Sequence, residues 1–170
     1  MNLIYFKSMK YKVLFFVNYF EEAKRADYQH SVIVVAEGLQ KLNIEYDSNI
    51  NYYKLPDGSY LFNKKDNLNF NDYKYIITGY SCGSIRNKPY PNKTSFLPLK
   101  LLTQKDRTYK TIFLDWSDGL FTYIENSKHY DYYFSANYLN NIIKTIGSNI
   151  YPLAFSPTNR IIKGTKMHKN

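Results

Sequence analysis

Several polar clusters in this chain directly follow apolar runs, and those positions hold the residue types that could do chemistry. The clearest is Asp115-Trp116-Ser117-Asp118-Gly119, which ends the run Thr111–Leu114. Two carboxylates and an indole within one turn could bind the hydroxyls of a sugar or stack on its ring. They could also share a divalent ion with a nucleotide's phosphates. Ser81-Cys82-Gly83 follows YKYIITGY, Asn18 follows VLFFV, and Ser135 and Asn137 follow YDYYF. The candidate ligand-binding residues are therefore Asn18, Ser81, Gly83, Asp115, Trp116, Asp118, Gly119 and Asn137. These residue types also have a purely structural use. Asp and Ser after a strand cap helices or form Asx-turns, a tryptophan there packs, and a lone thiol such as Cys82 is buried and inert.

Conventional cofactor patterns are missing. After VLFFV the chain reads NYFEEAKRADYQH, without a glycine, and neither G-x-G-x-x-G nor a P-loop occurs anywhere. Glu21 and Glu22 would repel a phosphate at this first turn. His30, His129 and His168 stand at no ligand spacing, and one cysteine permits neither a disulfide nor a thiolate zinc cluster. Two carboxylates in one turn are common without a metal. The expectation is no cofactor and no metal.

The clusters need elements that bring them together. Lys12–Phe20, Asn43–Tyr53, Tyr73–Gly79, Tyr109–Asp115, Tyr130–Ser135 and Asn149–Phe155 read as strands. The nearly continuous apolar runs among them suit strands buried on both faces of a parallel sheet. SVIVVAEGLQKL places Val32, Val35, Ala36, Leu39 and Leu42 at helical spacing, with Asp27 or Ser31 as its cap. Leu97–Gln104 predicts a short helix carrying Pro98 in its first turn, Leu120–Asn126 a turn or short helix, and Ala136–Ile146 a helix closed by Gly147. Asp57-Gly58 between YYKL and SYLF predicts a hairpin inserted near residues 53–62. Alternating strands and helices predict one α/β, Rossmann-like domain over residues 9–160, with a mostly parallel sheet of about five strands. Residues 1–8 and 161–170 are expected to be flexible ends. In such sheets ligands bind outside the carboxyl ends of the strands. FLDWSDG then reads as core leading to the rim of a cleft.

Composition bounds the rest. At 170 residues, with 44% hydrophobic and 22% charged positions, the chain is globular in composition. The 19 tyrosines and 11 phenylalanines accompany abundant Asn, Lys and Ile, a coding bias that says little about function. A net charge of +9 and five basic residues beyond Asp131, with no acidic one, raise nucleic acid as a partner. A solvated basic end gives the same pattern. No run of about 18 apolar residues could span a bilayer, and no secretory leader is visible, so a cytoplasmic location is expected.

The order KVLFFVNYF, HSVIVVAEGLQKLNIEYDSN and YKYIITGYS resembles the N-terminal half of bacterial glycosyltransferases with two facing domains, the GT-B architecture. Glu37-Gly38-Leu39 before Lys41-Leu42-Asn43 is similar to a helix ending common there. IFLDWSDG, HYDYYFSANYL and NIYPLAFSPTNR also resemble recurrent pieces of these enzymes. The resemblance implies an acceptor-side Rossmann-like domain whose cleft faces a partner domain that holds the nucleotide-sugar. The sequence ends at Asn170, where that second domain would begin. The expectation is a domain incomplete for sugar transfer alone, binding a sugar or nucleotide-sugar, or docking on a second chain. A basic nucleic-acid-binding accessory protein and a non-catalytic homo-oligomer are the alternatives.

Overall fold

The computed structural model describes residues 12–17, 29–80, 97–116, 124–136 and 148–154. Strands form where Val, Ile, Phe and Tyr cluster, the residues that fit a pleated, buried surface. They are β1 (Val13–Phe15), β2 (Tyr46–Ser48), β3 (Tyr52–Lys54), β4 (Tyr60–Phe62), β5 (Tyr75–Tyr80), β6 (Lys110–Asp115), β7 (Tyr132–Ser135) and β8 (Ile150–Pro152). Helix α1 spans His30–Lys41 and α2 spans Leu99–Thr103, behind Pro98. Short 3₁₀ turns cover Phe70–Asp72 and Ile124–His129.

Six strands form one sheet in the order β2-β1-β5-β6-β7-β8, one in each of the six segments read as strands from the sequence, and every pairing in it is parallel. β3 and β4 form the expected hairpin. Its turn depends on Gly58, whose φ of 88° disfavours any side chain, and on Asp57, whose carboxylate accepts from the Ser59 N–H and hydroxyl. Beyond β4 the chain meets β2 through a parallel bridge between Ser48 and Lys64. This bridge brings a further segment to the outer side of β2, so the layout approaches the Rossmann strand order.

Handedness decides which face each connection covers. The step from β1 to β2 runs one way and the steps from β5 through β6 to β7 run the other, so right-handed crossovers place their connections on opposite faces. Accordingly α1 packs on the face holding Val13, Phe15, Ile77 and Leu114, together with Leu61 and Phe62 of β4. α2 supplies Leu101 and Leu102 to the other face, with Leu14, Ile76, Phe113 and Tyr133. The buried side of α1 is turned from the one the spacing suggests. Val32, Ile33, Ala36 and Glu37 are buried, Val35 and Leu39 are half-buried, and Leu42 is 69% exposed. Leu42 lies beyond the helix end, where Asn43 turns the chain with a left-handed φ of 53°. Ser31 is inside the first turn rather than at its cap, and Asp27 lies outside the described residues.

Two carboxylates pin the frame. Asp131, at the amino end of β7, accepts from the Thr111 N–H at 2.8 Å and hydroxyl at 3.0 Å, and pairs with Arg107 and Lys110. Burial pushes its carboxyl up, but these donors and cations pull harder, and the net shift is below the usual carboxylate range. Asp47 of β2 accepts from Lys65 and from the Tyr73 hydroxyl, each at 2.8 Å, tying the segment after the hairpin to the sheet.

Candidate functional site

Because the six strands are parallel, their carboxyl ends lie along one border. The strand order reverses direction between β1 and β5, the place where open α/β sheets form a crevice. The ends are tied flush. The Ala136 N–H donates to Asp115 O at 2.9 Å, and the Leu153 N–H donates to Ser135 O at 2.9 Å.

Of the residues expected at this border, the described portion contains Asp115 and Trp116. Asn18, Ser81, Gly83, Asp118, Gly119 and Asn137 lie outside the described residues. Asp115 is the last residue of β6 and is 3% exposed. Its Oδ2 accepts the Tyr133 hydroxyl at 2.7 Å. The Tyr133 ring stacks on Phe113 at 5.1 Å, and that packing aims the hydroxyl along the strand toward the carboxylate. A hydrogen bond is stronger in a dry setting than in water, so the pair acts as a brace that fixes the border from behind.

Trp116 emerges one residue later, half-buried. Its ring meets the His30 imidazole edge-on, with centroids 4.5 Å apart. His30 opens α1, so this contact joins the end of β6 to the helix tip. The helix reaches the border because Gly79 lets it. A Cβ built on Gly79 would stand 2.9 Å from both Leu114 O and Ser31 Oγ. Ser31 in turn donates its hydroxyl to Leu114 O at 3.4 Å. In many nucleotide-binding α/β folds a loop glycine permits the close approach of helix and strand. Here the glycine sits on β5.

Across the reversal of strand order lies the end of β1. There the Asn49 side chain accepts from the Val17 N–H at 2.7 Å and donates to Val17 O at 3.1 Å. Sequence reasoning did not place His30, Ser31, Gly79 or Asn49 at this border. For the first two a signal existed, since the start of a helix that follows a parallel strand must lie at the carboxyl border. Tyr133 carried no signal beyond being a strand aromatic.

The arrangement offers an indole and an imidazole at the rim, an α-helix tip whose first turn has no side-chain cap and no acidic residue, and a carboxylate held behind them. It suits recognition of a ring-bearing, hydroxylated ligand by stacking and hydrogen bonding. Among the described residues no three His, Cys, Asp or Glu side chains gather as they would around a metal ion, and no helix is long and apolar enough to cross a membrane. No protein-family model, curated protein or solved structure matches the chain.

Proposed function

We propose that this chain is a glycosyltransferase-like, acceptor-side Rossmann domain that binds a sugar or nucleotide-sugar at the carboxyl border of its sheet. The observation that carries this reading is the meeting of Trp116, His30 and the tip of α1 at that border, beside the reversal of strand order. Trp116 and His30 form the contact wall, while Asp115 and Tyr133 keep it rigid. In this reading the border is the acceptor side, and the donor side belongs to a facing domain or chain, in the cytoplasm. The charge distribution places any nucleic-acid role outside the border described here. The described residues include 11 Lys or Arg against 10 Asp or Glu, so the surplus of +9 lies almost wholly outside the described fold.

The chain has a single tryptophan, so emission excited on the red edge, where its 19 tyrosines do not absorb, reports on Trp116 alone. UDP-glucose, UDP-N-acetylglucosamine, GDP-mannose and the free sugars are titrated against the protein, with calorimetry in parallel. A saturable change in emission matched by a binding isotherm supports the reading. Silence in both methods up to about 1 mM, the weakest affinity such a site would need, removes it. Binding to a DNA or RNA oligomer that falls steeply with salt would favour the nucleic-acid role instead.

A further inference from the structure

We infer that Asn49 is a positioning residue for this crevice, setting the β1 wall through contacts that no strand ladder makes. The inference rests on the ligand-binding reading of the carboxyl border. Pairing of β1 with β2 runs from Val13 with Tyr46 to Phe15 with Ser48. One more rung follows, from the Asn49 N–H to Phe15 O at 3.3 Å, and the chain then bends toward β3. In a parallel strand the N–H and C=O of one residue point to the same neighbour, and alternate residues serve alternate neighbours. Phe16 faces β5, donating its N–H to Ile77 O at 2.8 Å, so Val17 faces the β2 side. There the Asn49 side chain stands in for a peptide, accepting the Val17 N–H at 2.7 Å and donating to Val17 O at 3.1 Å.

An amide supplies both an acceptor and a donor, and Asn carries it on a single methylene. Aspartate has the same size but no donor, so one of its oxygens would oppose Val17 O. Glutamine keeps the chemistry but displaces it by one carbon. Val17 is 2% exposed, so its backbone groups need partners. Asn49 thereby prolongs β1 up to the reversal of strand order after the β2 backbone has left. A wall held this way keeps its place when a ligand enters, and sites lose affinity when their supporting contacts loosen.

Asn49→Asp, Asn49→Ala and a control, Val13→Ala, separate positioning from general stability. Val13 lies on the same strand, is buried, and belongs to the core rather than the border. Unfolding by urea ranks the stabilities, and calorimetry with the free sugars, UDP-glucose, UDP-N-acetylglucosamine and GDP-mannose gives the affinities. The expected result is a loss of about tenfold in affinity for both Asn49 variants. Val13→Ala, at a comparable loss of stability, should bind as the parent does. Two outcomes overturn the inference while leaving the binding reading intact: the parent and the Asn49 variants bind alike, or affinity follows stability across all three variants. If the parent binds none of these probes, the reading of the border falls and the inference falls with it.

Discussion

Replacing Gly79 by alanine sets two opposed effects against each other, and the geometry decides which wins. Gly79 does not have a left-handed φ, so alanine can adopt its backbone conformation. On that ground alone the substitution should stabilise by about 0.4–1 kcal/mol, because the unfolded chain loses freedom. Space opposes it. The new Cβ would lie 2.9 Å from Leu114 O and Ser31 Oγ and 3.1 Å from Leu114 Cβ. Ser31 Oγ can rotate away, but Leu114 O belongs to a central strand and cannot. The paired strands β5 and β6 must therefore give at Gly79 and Leu114, and overpacking of this kind costs about 1–3 kcal/mol. The net expectation is a loss of about 1–2 kcal/mol, which lowers Tm by about 2–8 °C for a chain of this length. Thermal and urea unfolding followed by circular dichroism measure it. The emission of Trp116 adds a local readout, because Trp116 follows the strained Leu114 by two residues at the end of β6. Gly38→Ala is the control: nothing lies within 4 Å of its added Cβ, so alanine there should stabilise α1 by up to about 1 kcal/mol. A Gly79→Ala protein as stable as the parent would show that β6 does not approach β5 at Gly79 as closely as described.

Three further outcomes follow from the same geometry. Tyr133→Phe removes the hydroxyl that meets Asp115 at 2.7 Å and should cost about 1–3 kcal/mol in urea unfolding, the range for taking one partner from a buried hydrogen bond. Asp131 has a folded pKa below its ordinary 3.8, so its contribution is present above that value and is lost as pH falls through the folded value. Asp131→Asn should therefore be less stable than the parent at neutral pH, with the gap closing as acid is added; a gap that stays constant down to about pH 2 would contradict the assignment. Tyr46 is pushed up to about 12, first by burial and then by the nearby Glu37 charge, outweighing a hydrogen bond with Gln40. Its stabilising share is whole below its ordinary 10.0 and is lost as pH rises toward the folded value, so tyrosinate absorbance should show a late-titrating group that Tyr46→Phe removes.

Much of the frame was legible from local pattern. Apolar runs of Val, Ile, Phe and Tyr marked the strands, helical spacing marked α1, and Asp57-Gly58 marked the hairpin turn. Alternation of the two element types was enough for a parallel α/β sheet, since parallel strands need a crossover between them. The details that shape the border were not legible. Asp115 reads from sequence as a rim residue, yet Tyr133 meets it and both are buried. The turned face of α1 had the same origin: Glu37 is buried and Leu42 exposed because of what β4, β5 and β6 present to the helix, not because of the helix's own spacing.

What the amino-acid sequence determined by itself was the set of elements, the absence of a glycine-rich phosphate loop, and the polar character of the strand ends. These depend on neighbours one to four positions away, where covalent geometry fixes the spacing. Only the tertiary structure decided that β1 lies between β2 and β5, that His30 meets Trp116, that Asn49 completes the end of β1 and that Gly79 admits the helix tip. Those contacts join segments far apart in the chain, and many sequences with the same local pattern could pair their strands in another order. The order actually adopted is the one that covers both faces of the sheet through right-handed crossovers while giving buried polar groups such as Asp115 and Val17 N–H their partners.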